Sequence, residues 1–77
     1  MFPQGQTLEV LQDVAFKPLS GRKVSFKQGD LVCVTNPRHK QEQDGLVQIG
    51  RKGKAKINQG WYLNFEIIKT YFKTYEY

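Results

Sequence analysis

Arg51, Lys52, Lys54 and Lys56 put four of the chain's twelve cationic residues into six positions, interrupted by Gly53 and flanked by Gly50 and Gly60. No acidic residue lies between Asp44 and Glu66. A glycine-punctuated basic segment of this kind suits phosphate groups, because the lysines neutralise charge while the glycines let the backbone approach closely. The same pattern also occurs as a solvated, lysine-rich hairpin turn that discourages strand-to-strand association. Arg22 and Lys23 form part of a second cationic group, with Lys17 and Lys27, and Arg38 with Lys40 forms a third.

Aromatic residues supply the other binding chemistry. Trp61 and Tyr62 are adjacent, so in a strand they point to opposite faces and one of them should be exposed, available for stacking on a base or for a protein contact. Tyr71, Phe72, Tyr75 and Tyr77 place four rings in the last seven residues. Such a density implies either that the tail folds back onto the domain or that it forms an oligomer or partner interface.

Catalytic chemistry has little to stand on. The single histidine, His39, lies between Arg38 and Lys40 in a polar stretch, and the single cysteine, Cys33, lies in the apolar run Leu31-Val32-Cys33-Val34. No nucleophile–base pair follows from that separation, one His and one Cys fall short of a zinc ligand set, and no cofactor is implied. The expectation is a protein that is not an enzyme.

These residues must be positioned by a small scaffold. Seventy-seven residues make one domain with a modest core. The net charge of +5 and the pI near 9.5 favour polyanionic or acidic partners. Cys33 cannot form an internal disulfide and reads as a small buried hydrophobe in a reducing compartment, which points to the cytoplasm. No apolar run reaches the roughly 20 residues of a membrane span, so no membrane partner is expected.

Along the chain, residues 1–6 read as a loose lead-in containing Pro3 and Gly5. Thr7–Val14 alternates imperfectly as a strand, and 15–22 reads as an excursion between strands. Val24 and Phe26 alternate before Gln28-Gly29-Asp30, which predicts a hairpin-like return into Leu31–Thr35. Residues 38–44 contain no apolar side chain and read as an exposed loop. Val47 and Ile49 alternate again, and Ala55–Ile57 resumes the strand beyond the basic turn. Trp61–Ile68 should close the sheet, with the strand running through Ile67 and Ile68 into a short helix; the tail's alternation also tolerates a strand.

Val10-Leu11-Gln12-Asp13-Val14 is similar to the Ala-Leu-Tyr-Asp-Tyr motif of Src-homology-3 (SH3-like) barrels, and Val24-Ser25-Phe26-Lys27-Gln28-Gly29-Asp30-Leu31 resembles their Leu-Ser-Phe-x-x-Gly-Asp signature. Asp44-Gly45-Leu46-Val47 and Gly60-Trp61-Tyr62-Leu63-Asn64-Phe65 resemble the later Asp-Gly-Trp-Trp and Gly-x-x-Pro-x-Asn-Tyr segments. The resemblance spans about residues 8–68 and implies an all-β fold: a small SH3-like barrel of about five antiparallel strands with a short C-terminal extension, helical in one reading of the tail. The family's proline-binding groove is not retained, since Gln12, Leu46 and Leu63 stand where aromatic walls and a proline would be, and only Phe65 keeps a ring. Related SH3-like barrels in ribosomal, integrase-type and transcription-associated proteins bind nucleic acid through basic loops, which the charge pattern here resembles.

The expected organisation is a lead-in at 1–6, a barrel at 7–69 and an aromatic extension at 70–77. The expected function is non-catalytic nucleic-acid binding, DNA or RNA, with little sequence specificity, through Arg51, Lys52, Lys54 and Lys56 assisted by Arg22, Lys23 and Trp61 or Tyr62. The alternative is a small accessory or inhibitory protein that holds a larger acidic protein, or weakly a second copy, through Tyr71, Phe72, Tyr75 and Tyr77.

Overall fold

The computed structural model describes residues 2–17, 23–53 and 60–75. It is all-β with two short helices. The strands are β1 (Thr7–Val10), β2 (Val14–Phe16), β3 (Val24–Phe26), β4 (Leu31–Val34), β5 (Leu46–Arg51), β6 (Trp61–Asn64) and β7 (Phe72–Thr74). Helix α1 (Arg38–Asp44) lies between β4 and β5, and α2 (Phe65–Tyr71) between β6 and β7. Five strands form an antiparallel half-barrel sheet in the order β6-β5-β4-β1-β7, and β2 and β3 form a separate ribbon. The small all-β barrel with a helix near its C-terminus is as the sequence predicts.

Alternation fixes what the sheet buries. Leu8 pairs with Val32 and Val34 with Ile49, so these side chains share one face, and Val47 with Leu63 extends it. That face meets Val24 and Phe26 of the ribbon, together with Ile68 and Phe72, in one continuous core. Each such side chain contributes about 1.5–3 kcal/mol on burial. On the opposite face Glu9 stands directly across from Lys73, and their charged groups lie 3.6 Å apart. At the exposure of that lysine the pair contributes only about 0.2–1 kcal/mol.

Several local expectations change. The first strand ends at Val10 and not at Val14, because the Val10 amide donates to the Asp30 carbonyl and the Leu11 amide to the Tyr71 carbonyl, after which β2 leaves the sheet. Ala15 and Phe16, read as part of an excursion, are paired with Ser25 and Val24. The turn at Gln28-Gly29-Asp30 exists, closed by the Asp30 amide on the Lys27 carbonyl at 3.0 Å and by the Lys27 amide on Asp30 Oδ2 at 2.9 Å. It does not make a hairpin: β3 stays with β2 while β4 pairs with β1 and β5. Cys33 is half-buried, since its pairing with Thr7 turns it to the face away from the core. The expected resumption at Ala55–Ile57 lies outside the described residues.

Residues 38–44 form α1 where an exposed loop is expected. The polar composition hides a start and a stop: Pro37 precedes seven residues without Gly or Pro, and Gly45 closes the helix with its amide on the Gln41 carbonyl at 2.8 Å. Gln41 is fully buried. Its side chain is the hub of a buried amide network. Oε1 accepts from the Phe2 amide at 3.0 Å, and Nε2 donates to the Phe2 carbonyl at 2.7 Å and to the Asn36 carbonyl at 3.1 Å. The Asn36 amide is held in turn by the Leu46 carbonyl and the Gln48 backbone amide. These bonds tie residue 2 to a helix thirty-nine positions away.

The tail resolves into both of its alternatives in succession. Asn64 Oδ1 accepts from the Ile67 amide at 2.9 Å, capping a helix that starts at Phe65, so Ile67 and Ile68 are helical and not strand. Glu66 in its first turn and Lys69 in its last both complement the helix dipole. The chain then returns to a strand, β7, where Phe72 pairs with Val10.

Candidate functional site

Arg51 is the last residue of β5 and stands opposite Val32, which places its side chain on the core face of the sheet. The guanidinium lies over the Phe26 ring at 4.8 Å from the centroid and beside Trp61 at 5.8 Å. Its Nη2 donates to the Ser25 carbonyl at 2.8 Å, and Nη1 is 3.6 Å from Asp30 Oδ2. Phe26 and Trp61 meet edge-on, 5.7 Å apart at 84°. The arginine is therefore a clasp between the ribbon and the sheet. Its fork suits this role, since one planar group can cover a ring and still donate sideways.

A stability effect follows. Arg51→Ala is expected to cost about 1–2 kcal/mol, from two cation–π contacts and one hydrogen bond, with little from the half-exposed ion pair. Arg51→Lys should recover less than half, because an ammonium cannot make the stacked and lateral contacts together. The shift in the urea midpoint of each variant checks both.

Lys52 follows on the other face. Its backbone amide donates to the Leu31 carbonyl at 3.1 Å, and Nζ donates to Thr7 Oγ1 at 3.1 Å while the residue as a whole stays exposed. Lys54 and Lys56 lie outside the described residues, as does Arg22. Lys23 is exposed just before β3. The basic segment thus divides: Arg51 belongs to the barrel, and Lys52 begins the connection from β5 to β6.

Trp61 and Tyr62 are both half-buried, where one of the two is expected to be exposed. Trp61 is taken up by Phe26 and Arg51, and Tyr62, opposite Gln48, borders a groove of about 220 Å³ with Phe16, Leu46, Leu63 and Ile67, beside the exposed Lys17. The tail aromatics fold back in part. Tyr71 meets Phe16 edge-on at 5.6 Å, and Phe72, only 4% exposed, stacks on Phe16 at 6.2 Å and meets Phe26 edge-on at 6.0 Å. Tyr75 is half-buried with its amide on the Thr7 carbonyl at 2.9 Å, and Tyr77 lies outside the described residues.

Among the described residues, no three His, Cys, Asp or Glu side chains gather into a metal-binding group. No helix there is long and apolar enough to cross a membrane. The residues that sequence reasoning missed are Gln41 and Asn36, whose signal was the Pro37-to-Gly45 helix frame. Comparison with protein families, curated proteins and solved structures finds no match for this chain.

Proposed function

We propose that the chain is a non-catalytic binding module that holds nucleic-acid phosphates through the connection between β5 and β6, with little sequence specificity. The observation that carries this reading is the separation of roles at the strand end. Arg51 is anchored on Phe26, Ser25 and Asp30, so Lys52 begins, from a fixed base, a connection that carries Lys54 and Lys56 and no acidic residue. Arg22 and Lys23 assist by charge, and Tyr62 is a better candidate for a base contact than Trp61, which is committed to packing. A likeness to SH3-like barrels is part of the proposal, supported by the small half-barrel of short antiparallel strands. So is a reducing, cytoplasmic setting, which rests on the lone cysteine. Docking of a larger protein on the aromatic tail has less support, since Tyr71 and Phe72 pack against Phe16.

The test is a fluorescence-anisotropy titration of labelled single- and double-stranded DNA and RNA against the wild type and the triple variant Lys52→Ala, Lys54→Ala, Lys56→Ala, with Arg51 left in place to protect the fold. If about three phosphates are neutralised on duplex, raising salt from about 50 to about 300 mM should weaken binding roughly 100-fold. The triple variant should lose both the affinity and the salt dependence. Equal affinity at the two salt concentrations would reject phosphate binding, and binding to no nucleic acid would leave an acidic protein as the partner of this connection.

A further inference from the structure

One end of the β2–β3 ribbon gathers positive charge. Phe16 pairs with Val24, and continuing that register by one position sets Lys17 across from Lys23, on the face that Ala15 and Ser25 leave exposed. Like charges directly opposite each other destabilise a strand pair. Among the described residues no carboxylate pairs with either lysine, and residues 18–22, which join them, contain Arg22 and no acid. An anion seated between the two relieves the repulsion. Lys17 also borders the groove of about 220 Å³ beside Tyr62, whose apolar walls include the half-buried Phe16, Leu46 and Ile67. Unlike Trp61, Tyr62 makes no ring or cation contact among the described residues. Asn64 adds a directed donor to the lining, because its Oδ1 is held by the Ile67 amide and its Nδ2 is left to donate. The carboxylates nearest in sequence, Asp44 and Glu66, are exposed and take no part in the lining.

We propose that this corner is a subsite for one unpaired nucleotide, with its base in the groove on Tyr62 and its phosphate between Lys17 and Lys23, so that the nucleic acid held by the chain is single-stranded. The inference rests on the phosphate-binding reading of the connection between β5 and β6. Strand β6 links the two places, since it starts where that connection ends and runs about 10 Å from Trp61 to Asn64 in the groove. Only an unpaired base can enter, because in a duplex its faces are stacked on neighbours and its pairing edge is taken by the other strand. In the groove the base lays one face on Tyr62, is shielded from water by Leu46 and Ile67, and accepts a hydrogen bond from Asn64 Nδ2 at its edge. Every base has a face to offer the ring, in keeping with little sequence specificity.

The test titrates the full chain with a labelled single-stranded oligonucleotide and with the duplex of the same sequence, by anisotropy, over a series of salt concentrations. Tyr62→Leu removes the ring and keeps an apolar side chain, so it should weaken single-strand binding at least about fivefold and leave duplex binding unchanged. Lys17→Ala combined with Lys23→Ala changes two exposed positions only. It should lower the log–log salt slope on the single strand by about 1.4, from two phosphates at about 0.7 each. In the wild-type chain the methyl resonances of Leu46 and Ile67 should shift with the single strand and stay in place with the duplex, a readout that stands even if Tyr62→Leu fails to fold. A folded Tyr62→Leu chain that binds the single strand as the wild type does, a lysine variant with the wild-type slope, or methyls that stay still or move equally with the duplex each overturns the subsite. If the Lys52, Lys54 and Lys56 triple variant still loses affinity in that case, the connection keeps its role and only this inference falls. Binding of the wild type to no nucleic acid removes both.

Discussion

Gly60→Ala is expected to remove about 4 kcal/mol of stability, close to half of what a domain of this size possesses. Two separate penalties add at this residue. Its φ of 135° lies where an L side chain is strained, at about 1–3 kcal/mol. A Cβ placed there would also overlap the Ile49 carbonyl oxygen and come within 2.7 Å of the Ile49 carbonyl carbon, both backbone atoms of the neighbouring strand. Backbone cannot swing aside as a side chain does. Relief requires β6 to move off β5 at the first rung of their ladder, where Trp61 faces Ile49. Trp61 then leaves Phe26 and Arg51, so the variant should show a changed tryptophan emission along with a lowered denaturation midpoint. Gly53→Ala is the control: its φ of 85° is strained as well, but nothing lies within 4 Å of the added carbon. It should cost only about 1–2 kcal/mol and leave the emission unchanged. Equal losses at the two glycines would show that the clash with β5 does not matter.

The contrast between these glycines marks how far the sequence could be read. Period-two alternation at Val24–Phe26 and Val47–Ile49, and the short β-branched run at Leu31–Val34, located strands, because apolar side chains that meet a core report it directly. Pairing partners were less accessible. The turn at Gln28-Gly29-Asp30 has the composition of a hairpin, yet the bonds from Val10 to Asp30 and from Gly29 to Val10 send β3 and β4 to different sheets. Nothing local to the turn encodes that choice, which rests on bonds to a residue nineteen and twenty positions away.

The candidate site was legible as charge and not as geometry. Four clustered cations looked equivalent in the sequence, but strand alternation puts Arg51 on the core face against Phe26 and Trp61 and puts Lys52 on the other. A single-residue step in register separates a structural arginine from a surface lysine. Helix α1 was missed for the opposite reason. Its one inward residue is a glutamine, so no apolar side chain marks the buried face, and hydrophobic periodicity is blind to a core position filled by an amide.

That amide makes Gln41→Met the second large effect, an expected loss of about 3 kcal/mol. Methionine is unbranched like glutamine and close to it in size, so the substitution preserves packing while deleting every hydrogen bond the side chain makes. Three backbone groups lose their partner: the Phe2 amide, the Phe2 carbonyl and the Asn36 carbonyl. Their fates differ. Phe2 is half-buried and can return to water by releasing residues 2–6, which limits its share to the docking energy of that segment. Asn36 is 2% exposed and its amide remains bound to Leu46 and Gln48, so its carbonyl cannot follow and keeps a desolvation penalty of about 1–3 kcal/mol. Thermal unfolding should fall by roughly 15 °C for a chain of this length. Amide exchange should accelerate at Phe2 and Gly5 far more than at Val47 or Ile49. Asn36→Ala provides the complementary cut, freeing the Gln48 amide and the Leu46 carbonyl while leaving the Gln41 grip on Phe2 in place. If Gln41→Met proved no more damaging than an average surface substitution, within about 0.5 kcal/mol, the network would not be holding the lead-in and helix α1 to the barrel.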